Sequence, residues 1–223
     1  MKIIYTNDGD TKLEQKSKNR WVLLVDWEGD KKKFWLNFPF QLLKIIEKKK
    51  IGDNYHEFTI KANSVMSLKD LLKKYKNKLP YELCMELLYN IGNQIQTLER
   101  FHLGIPYVDL EDIVVVDETK FLFLNDQKLL DIKKGQLEIA EPLKKSSYFS
   151  PELSKISKIP ATISYKSSFY SLARLTGFCF TGEKLGIEDD HKEIFKNIYT
   201  TKLYWALLRM LENNPNNRFY LII

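Results

Sequence analysis

The sequence predicts an α+β chain in which a small β-rich segment, residues 1–64, precedes a mostly helical one, residues 65–223. Apolar runs rich in valine, tryptophan and phenylalanine, bounded by turn residues, dominate the first segment. From Ser67 onward, leucine and isoleucine recur at helical spacing. A valine run followed by a second alternating run interrupts the helical part and places a small hairpin there.

The first segment reads as follows. "WVLLVDW" (21–27) and "KFWLNF" (33–38) flank the glycine-containing "EGDK", which predicts a hairpin. Pro39 then opens "PFQLLKIIEKKK", where Leu42, Leu43, Ile45 and Ile46 fit one face of a short helix. Phe58 and Ile60 alternate with polar neighbours in "HEFTIKA" (56–62), a strand pattern.

In the second segment, Ser67 and Asp70 form a capping-box-like start to a helix. Pro80 starts a longer one, with Leu83, Leu87, Ile91, Ile95 and Leu98 on a single stripe and Gly104 as its stop. Strands at 113–116 and 121–124 joined by "DETK" come next, then about 20 residues of polar loop and helical segments at 167–180 and 202–211.

Composition bounds the function. A chain of 223 residues makes one large domain or two small lobes and needs no covalent staples. Cys84 and Cys179 are too few for a disulfide framework, so a reducing compartment is expected. No apolar stretch approaches about 18 residues, and "MKIIYTNDGD" lacks a secretory apolar run, so the expectation is a cytoplasmic protein without membrane contact. The net charge of +6, with lysines gathered at 31–33 and 48–50, supports weak attraction to nucleic acid or acidic partners; a solvated lysine-rich surface is the plainer reading.

Several phrases occur in a telling order. They are "FHLGIPYVDLEDIVVVDETKFLFLND" (101–126), Ser150-Pro151-Glu152, "FYSLA" (169–173) and "NPNNR" (214–218). Together they resemble the eukaryotic-type protein kinase superfamily: the loop with its catalytic aspartate, a hairpin, the metal-binding Asp-Phe-Gly, the Ala-Pro-Glu phrase, a following helix, and Asp-Pro-x-x-Arg. The resemblance is strongest from Ser67 to Arg218 and rests on element order before that. It implies a two-lobe kinase-like fold and an ATP site using Mg²⁺.

The resemblance also implies a degenerate site. Asp109 stands at the catalytic-base position, although an aspartate there also serves as a turn cap. The asparagine ligand falls on Val114, or on Asp112 or Ile113 if one residue is deleted. Asn125 or Asp126 takes the metal-ligand aspartate position. Nothing resembles the Gly-rich loop, since only Gly9, Gly29 and Gly52 occur before residue 60. Asn37 falls at the strand-lysine position, with Lys33 on the same face as a displaced alternative. Glu47 is the candidate ion-pair glutamate, Trp35 is placed to fill adenine's space, and Ser168 stands where the family has an aspartate that braces the catalytic turn.

Glu152 and Arg218 are expected to form a buried ion pair. The segment 127–149, at the activation-segment position, carries Leu137 and Ile139 and is expected to fold back over a vacated nucleotide cleft or to meet a partner. These features resemble a pseudokinase, similar to divergent kinase-like proteins of large DNA viruses, that binds a protein partner and needs no cofactor. The alternatives are an active atypical Ser/Thr kinase using ATP and Mg²⁺, and a viral structural or replication-factory protein that contacts nucleic acid.

Overall fold

The computed structural model describes residues 2–7, 11–37 and 39–220. In chain order the elements are β1 (Lys2–Asn7), β2 (Thr11–Ser17), β3 (Arg20–Asp26), α1 (Gly29–Asn37), the single turn α2 (Pro39–Leu42), β4 (Ile45–Ile51), β5 (Tyr55–Lys61), β6 (Val65–Ser67) and α3 (Leu68–Lys74). There follow α4 (Tyr81–Arg100), β7 (Leu103–Gly104), β8 (Ile113–Val116), β9 (Lys120–Phe123), β10 (Leu130–Asp131), β11 (Gln136–Ile139), α5 (Pro151–Ser154), β12 (Ala161–Ser164), α6 (Ser167–Thr181), α7 (His191–Ile194) and α8 (Lys202–Met210). The chain is α+β, as its sequence predicts.

Packing divides it into two units: residues 1–73 with 110–129, and residues 74–109 with 130–223. This division differs from a single boundary at residue 64. The hairpin β8–β9 belongs with the first unit because β6 pairs with β8, matching Val65 to Val116 and Ser67 to Val114.

The first unit contains a five-stranded antiparallel sheet in the order β1-β2-β3-β5-β4. Two expectations fail here for one reason. The hairpin of 21–27 with 33–38 does not form, because β3 already has β2 and β5 as neighbours. Residues 33–37 instead complete α1, which buries the adjacent Phe34 and Trp35; Phe34 also meets Phe123 at 6.3 Å. Phe38, the last residue of that expected strand, lies outside the described residues. Likewise 45–51 is the strand β4, paired along β5 from Ile45–Ile60 to Ile51–Tyr55, and not the continuation of a helix from Pro39. Strand pairing with distant residues overrides the local apolar spacing of a short run.

The N-cap half of the expected box forms: Ser67 Oγ accepts the Asp70 N–H at 3.1 Å, while the return bond runs from the Ser67 hydroxyl, not its backbone N–H, to Asp70 Oδ2 at 2.8 Å. The hairpin turn puts Asp117 and Glu118 in the left-handed region, and Asp117 Oδ1 accepts the Asn63 N–H at 2.7 Å.

In the second unit, α4 buries Leu83, Leu87, Ile91, Ile95 and Leu98, the stripe its sequence displays. The left-handed residue that ends this helix is His102, φ 57°, and not Gly104. Gly104 lies in β7, where a Cβ would sit 3.0 Å from Leu137 Cδ2.

The expected polar loop is partly ordered structure: β11 pairs with β12, and Leu137 and Ile139 join Tyr107, Leu153 and Ile163 in a buried cluster. Leu137 and Ile139 are therefore buried on a strand within the core of their own unit. Among the described residues no helix is long and apolar enough to cross a membrane.

Candidate functional site

The hairpin β8–β9 explains why an aspartate precedes the valine run and an Asn-Asp pair follows the second run. The Leu124 N–H donates to the Asp112 carbonyl at 2.9 Å, closing the base of the hairpin and setting Asp112 beside Asn125 and Asp126. Asp112 is buried; its Oδ1 accepts from Asn125 Nδ2 at 2.8 Å and its Oδ2 pairs with the Lys128 ammonium at 2.6 Å. Asp126, 2% exposed, accepts at Oδ1 from Asn7 Nδ2 at 2.7 Å and at Oδ2 from Thr11 Oγ1 at 3.3 Å. Asn7 Oδ1 in turn accepts the Thr11 N–H at 2.6 Å.

A buried carboxylate needs such partners to stay charged. The neighbouring Tyr5 phenol registers the charge: burial above all, then Asp112 and Asp126, raise its pKa well above the ordinary value. Asn125 Oδ1 is buried with no hydrogen-bond partner among the described residues.

Asn7 and Thr11, which flank the β1–β2 connection, were not legible as site residues, because "TNDGDT" reads as an exposed turn. Gly9, the one glycine near that position, lies outside the described residues. Both flanking side chains are buried, which no local composition announces.

Asp109 belongs to the second unit and is half-buried. Its loop is braced by serines: Ser171 Oγ accepts the Val108 N–H at 2.9 Å and donates to the Val108 carbonyl at 3.0 Å. Ser167 Oγ donates to the Pro106 carbonyl at 2.9 Å and shares a hydrogen bond with Ser150 Oγ at 2.7 Å. Ser168 does not take this part; it donates to the Tyr165 carbonyl at 3.0 Å. The bracing falls instead to Ser167 and Ser171, one position before and three after the expected one on α6.

Asn37 closes α1 and does not lie on a strand; its side chain is outside the described atoms. The same correction moves Lys33 and Trp35 onto that helix, where Lys33 pairs with Asp30 at 2.7 Å and Trp35 is fully buried. Glu47 lies exposed on β4 and not on a helix. At the junction of β3 and α1, Asp26 pairs with Lys31 at 3.2 Å.

Among the described residues, no group of three or more His, Cys, Asp or Glu side chains is arranged to hold a metal. Each carboxylate oxygen of Asp112 and Asp126 already accepts a hydrogen bond or ion pair.

No family model matches the chain. A stretch of 134 residues is 28% identical to the DNA mismatch repair protein MutS of Streptococcus pneumoniae strain Hungary19A-6, covering 55% of this chain and 16% of that protein. The DNA mismatch repair protein HexA of Streptococcus pneumoniae serotype 4 matches at the same identity and coverage. The chain therefore spans 16% of the length of these curated relatives.

Proposed function

We propose that this chain is a catalytically inactive member of the protein kinase superfamily, a pseudokinase, that acts as a protein-binding or scaffold module and uses no nucleotide. The observation that carries the reading is the commitment of both hairpin carboxylates. Asp126, at the metal-ligand position, is held by Asn7 and Thr11, and Asp112 by Asn125 and Lys128.

The arrangement of β3 and α1 supports the same reading. A kinase sets a lysine on its third strand against a glutamate on the following helix, to hold ATP phosphates. Here β3, "RWVLLVD", has no lysine and α1, "GDKKKFWLN", no glutamate. The pair that forms has the opposite polarity, with the acid Asp26 on the strand and the base Lys31 on the helix.

The test is thermal unfolding of the full chain with and without Mg-ATP. A ligand at about 100 times its dissociation constant would stabilise by roughly 2.7 kcal/mol. No shift is expected. A rise that depends on Mg²⁺ and is competed by ADP overturns the reading in favour of an active Ser/Thr kinase with Asp109 as base and Asp126 on the metal. The uncommitted Asn125 Oδ1 is the observation that favours this second reading. In that case Asp109→Asn should abolish phosphotransfer.

A place in host cytosol or virion, and an origin in a large DNA virus, go with the resemblance. The likeness to MutS supports a DNA-repair role only weakly, at 16% of that protein's length.

A further inference from the structure

The outer strand of the first unit's large sheet gathers positive charge that no carboxylate among the described residues pairs with. In the β4–β5 register Lys48 pairs with Phe58 and Lys50 with His56, so these four side chains share one face; Glu47 and Lys49 point the other way, beside Thr59 and Glu57. Trp27 lies on the lysine face. Its ring stacks on His56 at 5.1 Å and 14°, and the Lys48 ammonium sits 4.3 Å from the indole centre.

Lys32 of α1 contributes to the same field. Burial first, then the charges of Lys48, Lys50 and Lys32, lower the His56 pKa. Four carboxylates of the neighbourhood are engaged elsewhere: Asp26 with Lys31 at 3.2 Å, Asp30 with Lys33 at 2.7 Å, Glu57 with Lys16 at 3.3 Å, and Glu28 with Asn54 Nδ2 at 2.6 Å. Among the described residues Lys32, Lys48 and Lys50 have no carboxylate within salt-bridge distance.

Lysines that only guard a sheet edge from pairing need be neither collected nor held. Here Lys48 is fixed against an aromatic pair, so part of the ordering cost of binding is already met, and three like charges stand together at a cost that an anion would relieve. The half-exposed Trp27 and His56 rings add a flat apolar surface beside the cations. Cations with aromatic rings suit a phosphate chain whose bases are unstacked.

We propose that this face of β4, β5 and α1 binds single-stranded nucleic acid, with Lys32, Lys48 and Lys50 meeting phosphates and the Trp27–His56 pair contacting bases. Among the described residues it carries no array of amide or guanidinium groups to read base edges, so binding is sequence-tolerant and salt-dependent. It does not depend on whether the chain binds ATP.

The test is fluorescence anisotropy of a labelled oligothymidylate of about 20 nucleotides with the full chain, between about 20 and 300 mM NaCl. Three phosphate contacts give a slope of about −2 for log affinity against log salt. The triple variant Lys32→Gln/Lys48→Gln/Lys50→Gln should lose at least about tenfold in affinity and flatten that slope. The control Lys184→Gln/Lys192→Gln/Lys202→Gln, at exposed positions of the second unit, should bind as wild type. Bound oligonucleotide should raise the His56 pKa seen by NMR, because phosphate offsets the lysine field. Absence of binding at the lowest salt, equal loss in both triple variants, or competition by polyglutamate as effective as by unlabelled oligonucleotide would each overturn the proposal.

Discussion

Arg218 is fully buried and spends all five of its N–H donors. Nη1 and Nη2 fork onto Glu152 Oε1 and Oε2 at 2.5 and 2.8 Å, and the remaining donors reach the carbonyls of Glu212, Lys166 and Asn213. The guanidinium also lies over the Tyr170 ring, 4.8 Å from its centre. Removing either partner strands a charge, so Glu152→Ala should cost about 3–5 kcal/mol in urea unfolding. Arg218→Lys should not rescue the pair, because an ammonium cannot replace a planar fork; wild-type stability in that variant would show that charge alone suffices. This contact joins residues 66 apart and was legible, since "SPEL" and "NPNNR" both stand in the phrases that carry the resemblance. The clamp on Asp126 was not. Its donors, Asn7 and Thr11, are 119 and 115 residues away, and their types are equally at home in a solvated turn.

At the scale of elements, legibility follows how locally each element is determined. The helix α4 carries its apolar stripe from Leu83 to Leu98, about four turns, with a proline at its start, so its sequence suffices. The runs around Trp35 and Ile45 are short, and such runs take the form their neighbours impose. The strand β11 is the sharpest case: "QLEI" alternates, yet its identity as a strand depends on β12, "ATIS", 22 residues beyond its end. Pairing puts Leu137 opposite Ile163 and buries Leu137 and Ile139 at 0% and 2% exposure. Leu137→Asp and Ile139→Asp should therefore each destabilise the chain by more than about 2 kcal/mol, from lost apolar burial plus a charge with no counter-ion. Midpoints of urea unfolding matching wild type would mean that the β11–β12 sheet forms only when a partner is bound, and a partner pull-down lost in both variants would then locate the interface there.

For the whole molecule, the decisive feature is that neither packing unit is continuous in sequence. The first unit takes residues 110–129 from the middle of the stretch that supplies the second. That insert provides the central and outer strands of the β6-β8-β9 sheet, the Phe123 ring facing Phe34, and the carboxylate that holds Asn7 and Thr11. Without it, residues 1–73 would expose the apolar side of β6 and leave two buried polar side chains without their acceptor, in a fragment already small for a self-sufficient core. A polypeptide of residues 1–73 alone is thus expected to give a collapsed amide NMR spectrum and no cooperative unfolding. Joining residue 73 to residue 110 through a flexible Gly/Ser linker of about 20 residues, and ending at 129, should restore both dispersion and a cooperative transition. If residues 1–73 fold cooperatively by themselves, the hairpin contributes little to that unit, and Asp112 and Asp126 serve binding or chemistry and not the holding of the sheet and its first turn together.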